Sequence, residues 1–195
     1  DWVVALDPTE GRRAAPRLRS GSNRPIEVSE ETVRQLADPR GRNMATLGGN
    51  LCQDTRCWYY RYPHHMGGRI ICYRKEKGPC RAVKGDNRYH AIMGAKACFA
   101  VCPSDTAIAL SALGAELVIK GSQKVRSVFV DEFYAPLGNS LEPDELLTHI
   151  EIPNPAEGVR QEFLKFTLRK PVDFAIASVA SVVTMQDEIC KDARI

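Results

Sequence analysis

The sequence lacks four things, each of which would have fixed a class of protein. No stretch approaches the ~20 consecutive apolar residues of a membrane-spanning helix. The first residues also do not follow the basic, apolar, small-residue order of a secretory signal. Surplus charge is scarce: 27 Lys and Arg stand against 24 Asp and Glu, a net charge of +3, and the basic residues are dispersed. That removes the strong footprint of a nucleic-acid binder, and no nucleic-acid partner is expected. Finally, the seven cysteines contain no C-x-x-C pair, the knuckle from which structural zinc sites are usually built. Their odd number fits poorly with a secreted disulfide framework. Reduced thiols in the cytoplasm are the expected state, which makes clustered cysteines candidates for metal ligation.

What is present is globular. With 44% hydrophobic and 26% charged residues, the chain lies outside the disordered range. Asp1 to Arg24 is irregular and rich in arginine, and Trp2–Leu6 reads as a strand without a partner. Ser29–Asp38 predicts a short helix, capped by Ser29 and with Glu30 and Glu31 at its positive end. Asn43–Asn50, NMATLGGN, reads as a loop closing on a Gly-Gly pair. From Cys52 to Cys102 neither helical nor strand periodicity holds. A plain loop of that length is uncommon inside a compact domain, so something other than an apolar core is expected to hold it. Regular structure resumes at Ser104 or Asp105, either of which would cap a helix running to Leu113 and stopped by Gly114. Strands are predicted over Ala115–Ile119, Thr148–Ile152, Phe163–Thr167 and Ile176–Thr184. A turn at Met185–Glu188 leaves only the beginning of one more strand before Ile195. The mix is α+β, without an internal repeat.

The unexplained segment is CWYYRYPHHMGGRIICYRKEKGPC. Cys57, Cys72, Cys80 and Cys98 follow one another at fifteen, eight and eighteen residues. Four thiolates can hold a tetrahedral zinc or a four-iron cluster. On spacing alone a cluster, a zinc and inert thiols all remain open. His64-His65 could supply a ligand, although adjacent histidines on a loop are more often solvated. Trp58, Tyr59, Tyr60 and Tyr62 more often pack than do anything electronic, and would keep water from a cluster. The interleaved aromatic and basic residues leave single-strand binding as a weaker alternative.

Thr46-Leu47-Gly48-Gly49-Asn50 is a short signal. A Gly-Gly pair permits positive φ and lets backbone amides approach a phosphate, but many plain turns use the same pair. Context gives it weight. ATLGGNLC followed by PSDTAIALSALGAELVI resembles the FAD-binding subunit of the xanthine dehydrogenase and carbon monoxide dehydrogenase family of molybdenum enzymes. FYAPLGNSLEPDELLTHIEIP and FLKFTLRKPVDFAIASVASVV are similar to later segments of that subunit, so the likeness runs from about Ala37 to Ile195. The run NLCQDTRC, then Cys72, Cys80 and Cys98, resembles one branch, typified by the 4-hydroxybenzoyl-CoA reductase flavoprotein subunit. In that branch an inserted loop binds a [4Fe–4S] cluster. The last gap is longer here, filled by Asp86-Asn87-Arg88-Tyr89-His90, which sets Cys102 against Cys98 as fourth ligand; Cys98 is favoured by its place before Pro-Ser-Asp.

The fold this resemblance implies is an α+β FAD-binding domain of PCMH type, like the carbon monoxide dehydrogenase flavoprotein. Residues 1–155 would be the second part of that domain, with an iron–sulfur loop at 52–102, and 156–195 the start of a C-terminal α+β subdomain. The family's first FAD loop, of Gly-Gly-Thr type, is not matched by Gly21-Ser22. The resemblance therefore implies a fragment, or a first half lost or replaced. Thr46, Gly48, Gly49 and Asn50 would meet the FAD diphosphate. Asp105 would bond a cofactor hydroxyl or ring group, or serve as a helix cap. Lys170 and Asp173 would lie near the isoalloxazine, where a positive charge stabilises reduced flavin. Cys57, Cys72, Cys80 and Cys98 would ligate iron, leaving Cys52, Cys102 and Cys190 free. The implied function is an electron-transfer flavoprotein subunit with no catalytic residue of its own. It would pass electrons between a [4Fe–4S] cluster, FAD and the [2Fe–2S] clusters of a small partner subunit. Substrate chemistry would occur at a molybdenum cofactor in a large partner subunit, and an external donor or acceptor would complete the chain. The rival from another class is a zinc-stapled structural or binding domain without redox activity.

Overall fold

The computed structural model describes residues 2–5, 19–20, 46–62, 70–76, 78–135, 137–169 and 173–195. The helix expected at Ser29–Asp38, the His64-His65 pair and Lys170 lie outside them. Among the described residues ten strands run in chain order: β1 Trp2–Ala5, β2 Arg19–Ser20, β3 Glu116–Lys120, β4 Val125–Phe129, β5 Tyr134–Ala135, β6 Gly138–Asn139, β7 Leu146–Ile152, β8 Val159–Phe166, β9 Ala177–Gln186 and β10 Ile189–Arg194. The chain divides into two compact units, one of residues 1–52, 104–134 and 140–195, the other of residues 53–103 and 135–139.

The first unit carries a five-stranded sheet in the order β2-β1-β7-β3-β4. The strand at Trp2–Ala5, expected to stand alone, pairs antiparallel with β7 and with Arg19–Ser20. That correction concerns long-range pairing, which no local pattern encodes. In β7, Leu147, Ile150 and Ile152 are all buried, a spacing that simple alternation forbids. The β3–β7 register slips at Val118/Ile119, leaving Thr148 as an extra residue. Such a bulge moves the following side chains to the opposite face. Leu117, Ile119, Leu147, Ile150, Val130 and Phe133 then form one core with Leu51 and the helix residues Ala107 and Leu110.

Ser104 caps the helix Asp105–Ala112, its Oγ accepting from the Ala107 amide at 3.1 Å. At the other end Gly114 takes φ +67°. Its amide reaches the Ser111 carbonyl at 2.9 Å and the Ala115 amide reaches the Leu110 carbonyl at 3.0 Å, the two bonds of a Schellman stop. This helix is apolar on two sides because it serves two sheets. Its Ala109 and Ala112 pack on Phe163, Ala180 and Val182 of the three-stranded sheet β10-β9-β8. Small residues on that side let helix and sheet approach closely.

The turn expected near Met185–Glu188 is a two-residue turn, with Asp187 and Glu188 at φ +48° and +63°, the backbone that matches strand twist in tight hairpins. The strand after it is not merely begun: β10 runs for six residues against β9.

One part-buried ion pair gives this unit a pH dependence. The Arg126 guanidinium grips the Glu145 carboxylate through bonds of 2.8 and 2.7 Å, and the Glu142 amide donates to it at 2.9 Å. Together they hold the Glu145 carboxyl at about 2, below the usual value of about 4.3. The unfolded chain therefore takes up this proton first. The stabilisation is complete above about pH 5 and is lost as pH falls toward 2. In acid unfolding, the stability gap between wild type and Glu145→Gln should narrow steadily across that window. A gap independent of pH would contradict the assignment.

Candidate functional site

Two clusters of the expected residues form, one in each unit. In the first unit, Thr46 begins a five-residue helix, Leu47–Leu51, where a loop was expected. The physical reason is the cap. Thr46 is extended, its Oγ1 accepts from the Gly49 amide at 3.0 Å, and its carbonyl accepts from the Asn50 amide at 3.0 Å. Neither Gly48 nor Gly49 has positive φ among the described residues. Gly49 sits in close approach to the cap: a Cβ there would lie 3.0 Å from Thr46 Oγ1, which would have to give by a few tenths of an ångström. Helix geometry supplies no intrahelical partner for the Leu47 and Gly48 amides, so a phosphate-type ligand would be met by amides here, with the Thr46 and Asn50 side chains otherwise employed. Asn50 Oδ1 accepts from Ser104 Oγ at 2.7 Å, tying this turn to the start of the Asp105–Ala112 helix.

Asp105 is not the cap of its helix; Ser104 is. Asp105 lies next to it and is held by Lys165 of β8 at 2.6 Å, the two side chains only 9% and 8% exposed. Phe163 and Lys165 alternate along β8 and so share its helix-facing side. Burial raises the Asp105 carboxyl above its ordinary value, against the opposing pull of the Lys165 bond. Sequence reasoning missed Lys165, because its partner is sixty residues away. Asp173 is gripped by Arg169, whose Nη2 and Nε donate to Asp173 Oδ1 at 2.6 and 3.1 Å, and that bond lowers its carboxyl.

In the second unit the cysteine segment is not shapeless. Its described residues include three short helical turns, Trp58–Arg61, Tyr73–Glu76 and Arg81–Lys84. Each begins just after a cysteine. Cys57, Cys72 and Cys80 close these turns through their carbonyls, accepting from the amides of Arg61, Lys75 and Val83 at 2.9, 3.0 and 3.4 Å. A helix start favours negative charge, so such positions suit thiolate ligands.

Cys57, Cys72, Cys80 and Cys98 line one solvent-open cavity, with Tyr59, Tyr60, Arg74 and Arg81 around them. Cys72 is buried, and Cys102 is exposed. Among the described residues no three His, Cys, Asp or Glu side chains converge closely enough for a single metal ion. Four cysteines lining one cavity are a donor set that would suit a larger group spanning them. Arg74 adds a second indication: its Nε is buried without a hydrogen bond among the described residues, beside that cavity. The rest of its guanidinium is fixed by Asp54 at 3.3 Å and by the Tyr60 ring at 5.5 Å.

One neighbour of this cavity was not foreseen. His90 Nε2 lies 3.2 Å from Cys57 Sγ. Burial lowers the His90 pKa, with the Asn87 backbone and the Asp86 carboxylate opposing. Its only trace in the sequence was the long gap before Cys98.

Residues 10–155 match the family described as the FAD binding domain in molybdopterin dehydrogenase. The chain belongs to this family. The aldehyde oxidoreductase FAD-binding subunit PaoB of Escherichia coli K12 is 35% identical over 151 residues, 73% of this chain and 46% of that protein. The carbon monoxide dehydrogenase medium chain of Afipia carboxidovorans is 33% identical over 109 residues, 55% of this chain and 38% of that one. The chain thus spans less than half the length of these relatives. The reconstituted CO dehydrogenase from Oligotropha carboxidovorans superposes with a TM-score of 0.53 at 26% identity, covering 82% of this chain and 40% of its own. The cyanide-inactivated Cu,Mo-CO dehydrogenase gives the same values. The α+β architecture is therefore that of a PCMH-type FAD-binding domain.

Proposed function

We propose that this chain is the FAD- and cluster-carrying part of an electron-transfer flavoprotein subunit, within a multi-subunit molybdenum oxidoreductase of the cytoplasm. The observation that carries the proposal is the single cavity lined by Cys57, Cys72, Cys80 and Cys98, in a chain whose family is defined by FAD binding. The four cysteines would hold a [4Fe–4S] cluster as thiolates. The exposure of Cys102 favours Cys98 as fourth ligand. When bound, FAD exchanges electrons in pairs or singly and the cluster passes them one at a time.

The chain's own residues do the holding. The amides at the start of the Leu47–Leu51 helix, with Thr46, Gly48, Gly49 and Asn50 shaping them, would receive the FAD diphosphate. Asp105 would bond a hydroxyl or ring group of the cofactor, and Lys170 and Asp173 would lie near the flavin ring, where Lys170 would add positive charge. Tyr59 and Tyr60 at the cavity would limit water there, while Arg74 and Arg81 balance the negative charge of four thiolates. By analogy with the relatives, a molybdenum-cofactor large subunit and a [2Fe–2S] small subunit would be partners, with an external donor or acceptor. The residues after 155 would begin the C-terminal subdomain.

The test is chemical analysis of the anaerobically purified protein for FAD, iron, acid-labile sulfide and zinc. About four irons and four sulfides per chain with one FAD are expected. One zinc and no sulfide would replace this reading with the zinc-stapled domain.

A further inference from the structure

We propose that His90 tunes the cysteine centre by donating its Nε2–H to Cys57 Sγ. The proposal rests on the four-iron reading above, and it adds a residue which that reading does not require. The Nε2···Sγ distance is 3.2 Å, within reach for a nitrogen donor to the large sulfur atom. A cysteine sulfur bound to iron carries no proton and can only accept, so the ring nitrogen facing it must be the donor.

The segment that delivers His90 is built for position. Arg88 closes on Asp86 with bonds of 3.0 and 2.7 Å, and the His90 amide donates to the Asn87 carbonyl at 3.0 Å. Tyr89 packs edge-on against Trp58 with ring centroids 5.7 Å apart. The His90 ring lies 6.3 Å from that of Tyr59. Trp58 and Tyr59 follow Cys57 directly, so both sides of the Cys57–His90 contact are anchored on one turn. Hydrogen bonds to a ligand sulfur draw electron density from it and stabilise the reduced, more negative cluster, which raises the reduction potential. His90 acts here as a positioning and tuning residue, not as a ligand.

The experiment is a potentiometric titration followed by EPR, on the complete anaerobic enzyme, comparing wild type with His90→Phe and His90→Gln. Iron content is measured first. His90→Phe should keep full iron and show a more negative cluster midpoint potential, while His90→Gln, which retains an N–H donor, should recover part of the shift. Resonance Raman of the wild type gives a reading that does not depend on the variants folding. Exchange into D2O should shift an Fe–S stretching band, and His90→Phe should lose part of that shift. An unchanged midpoint potential in an iron-replete His90→Phe would overturn the proposal. So would loss of iron in both variants, which would make His90 a ligand or scaffold. Wild-type enzyme without iron would instead sink the cluster itself.

Discussion

Replacing Cys72 with serine is expected to strip the iron from the protein and leave its flavin bound. Cys72 is the most sequestered of the four cavity cysteines, at 7% exposure, and it lines the same cavity as Cys57, Cys80 and Cys98. A serine hydroxyl is a harder and far less acidic ligand than a thiol, so one corner of a four-iron site would be lost. Iron should fall from about four per chain to near zero. The matched control is Cys102→Ser, an exposed cysteine outside the cavity, which should keep its full iron. Full iron in Cys72→Ser, or loss in Cys102→Ser alone, would contradict the ligand assignment. Because the flavin turn and the cysteine cavity lie in different compact units, flavin retained after iron loss also checks that the fold survived.

The second large effect concerns stability. Asp105→Ala would leave the Lys165 ammonium buried and unpaired, since each partner's side chain is less than a tenth exposed. Breaking a buried pair by removing one partner costs about 3–5 kcal/mol, a fall in Tm on the order of 10 °C for a domain of this size. Replacing both partners, with Asp105→Leu and Lys165→Met together, should restore most of that stability, because two desolvated charges are exchanged for apolar contact. Thermal unfolding of the single and double variants measures this directly. A double variant no more stable than the single would show that the pair is not what Asp105 contributes. The same double variant separates structure from binding. If it regains stability yet fails to retain FAD, Asp105 serves the cofactor as well as the fold.

The sequence carried the local devices well and the long-range ones poorly. Ser104 and Gly114 mark the ends of the Asp105–Ala112 helix because capping and positive φ are chemistry of single residues. The hairpin turn at Asp187 and Glu188 was legible for the same reason. The bulge at Thr148, the pairing of Trp2–Ala5 with β7 and the reach of Lys165 to Asp105 were not, since each depends on which distant strand arrives beside it. The glycine turn was read as a loop because Gly-Gly is a poor helix former, whereas the Thr46 cap and the tie from Asn50 to Ser104 make a helix of it. Four cysteines were singled out from spacing and resemblance, and all four line one cavity. Their spacing alone could not say so, because three short turns of ordinary composition set the geometry. His90 escaped notice because a lone histidine in a gap carries no periodic signal.

The central claim is that these cysteines carry electrons beside a flavin. The measurement that tests it most directly is an anaerobic visible spectrum of the protein, recorded before and after dithionite, with EPR of the reduced sample. Resolved flavin bands on a broad iron–sulfur absorbance, both bleached on reduction, with a signal from a reduced [4Fe–4S] cluster, are the expected result. Flavin bands without that absorbance or signal, after anaerobic preparation and reconstitution with iron and sulfide, would contradict it.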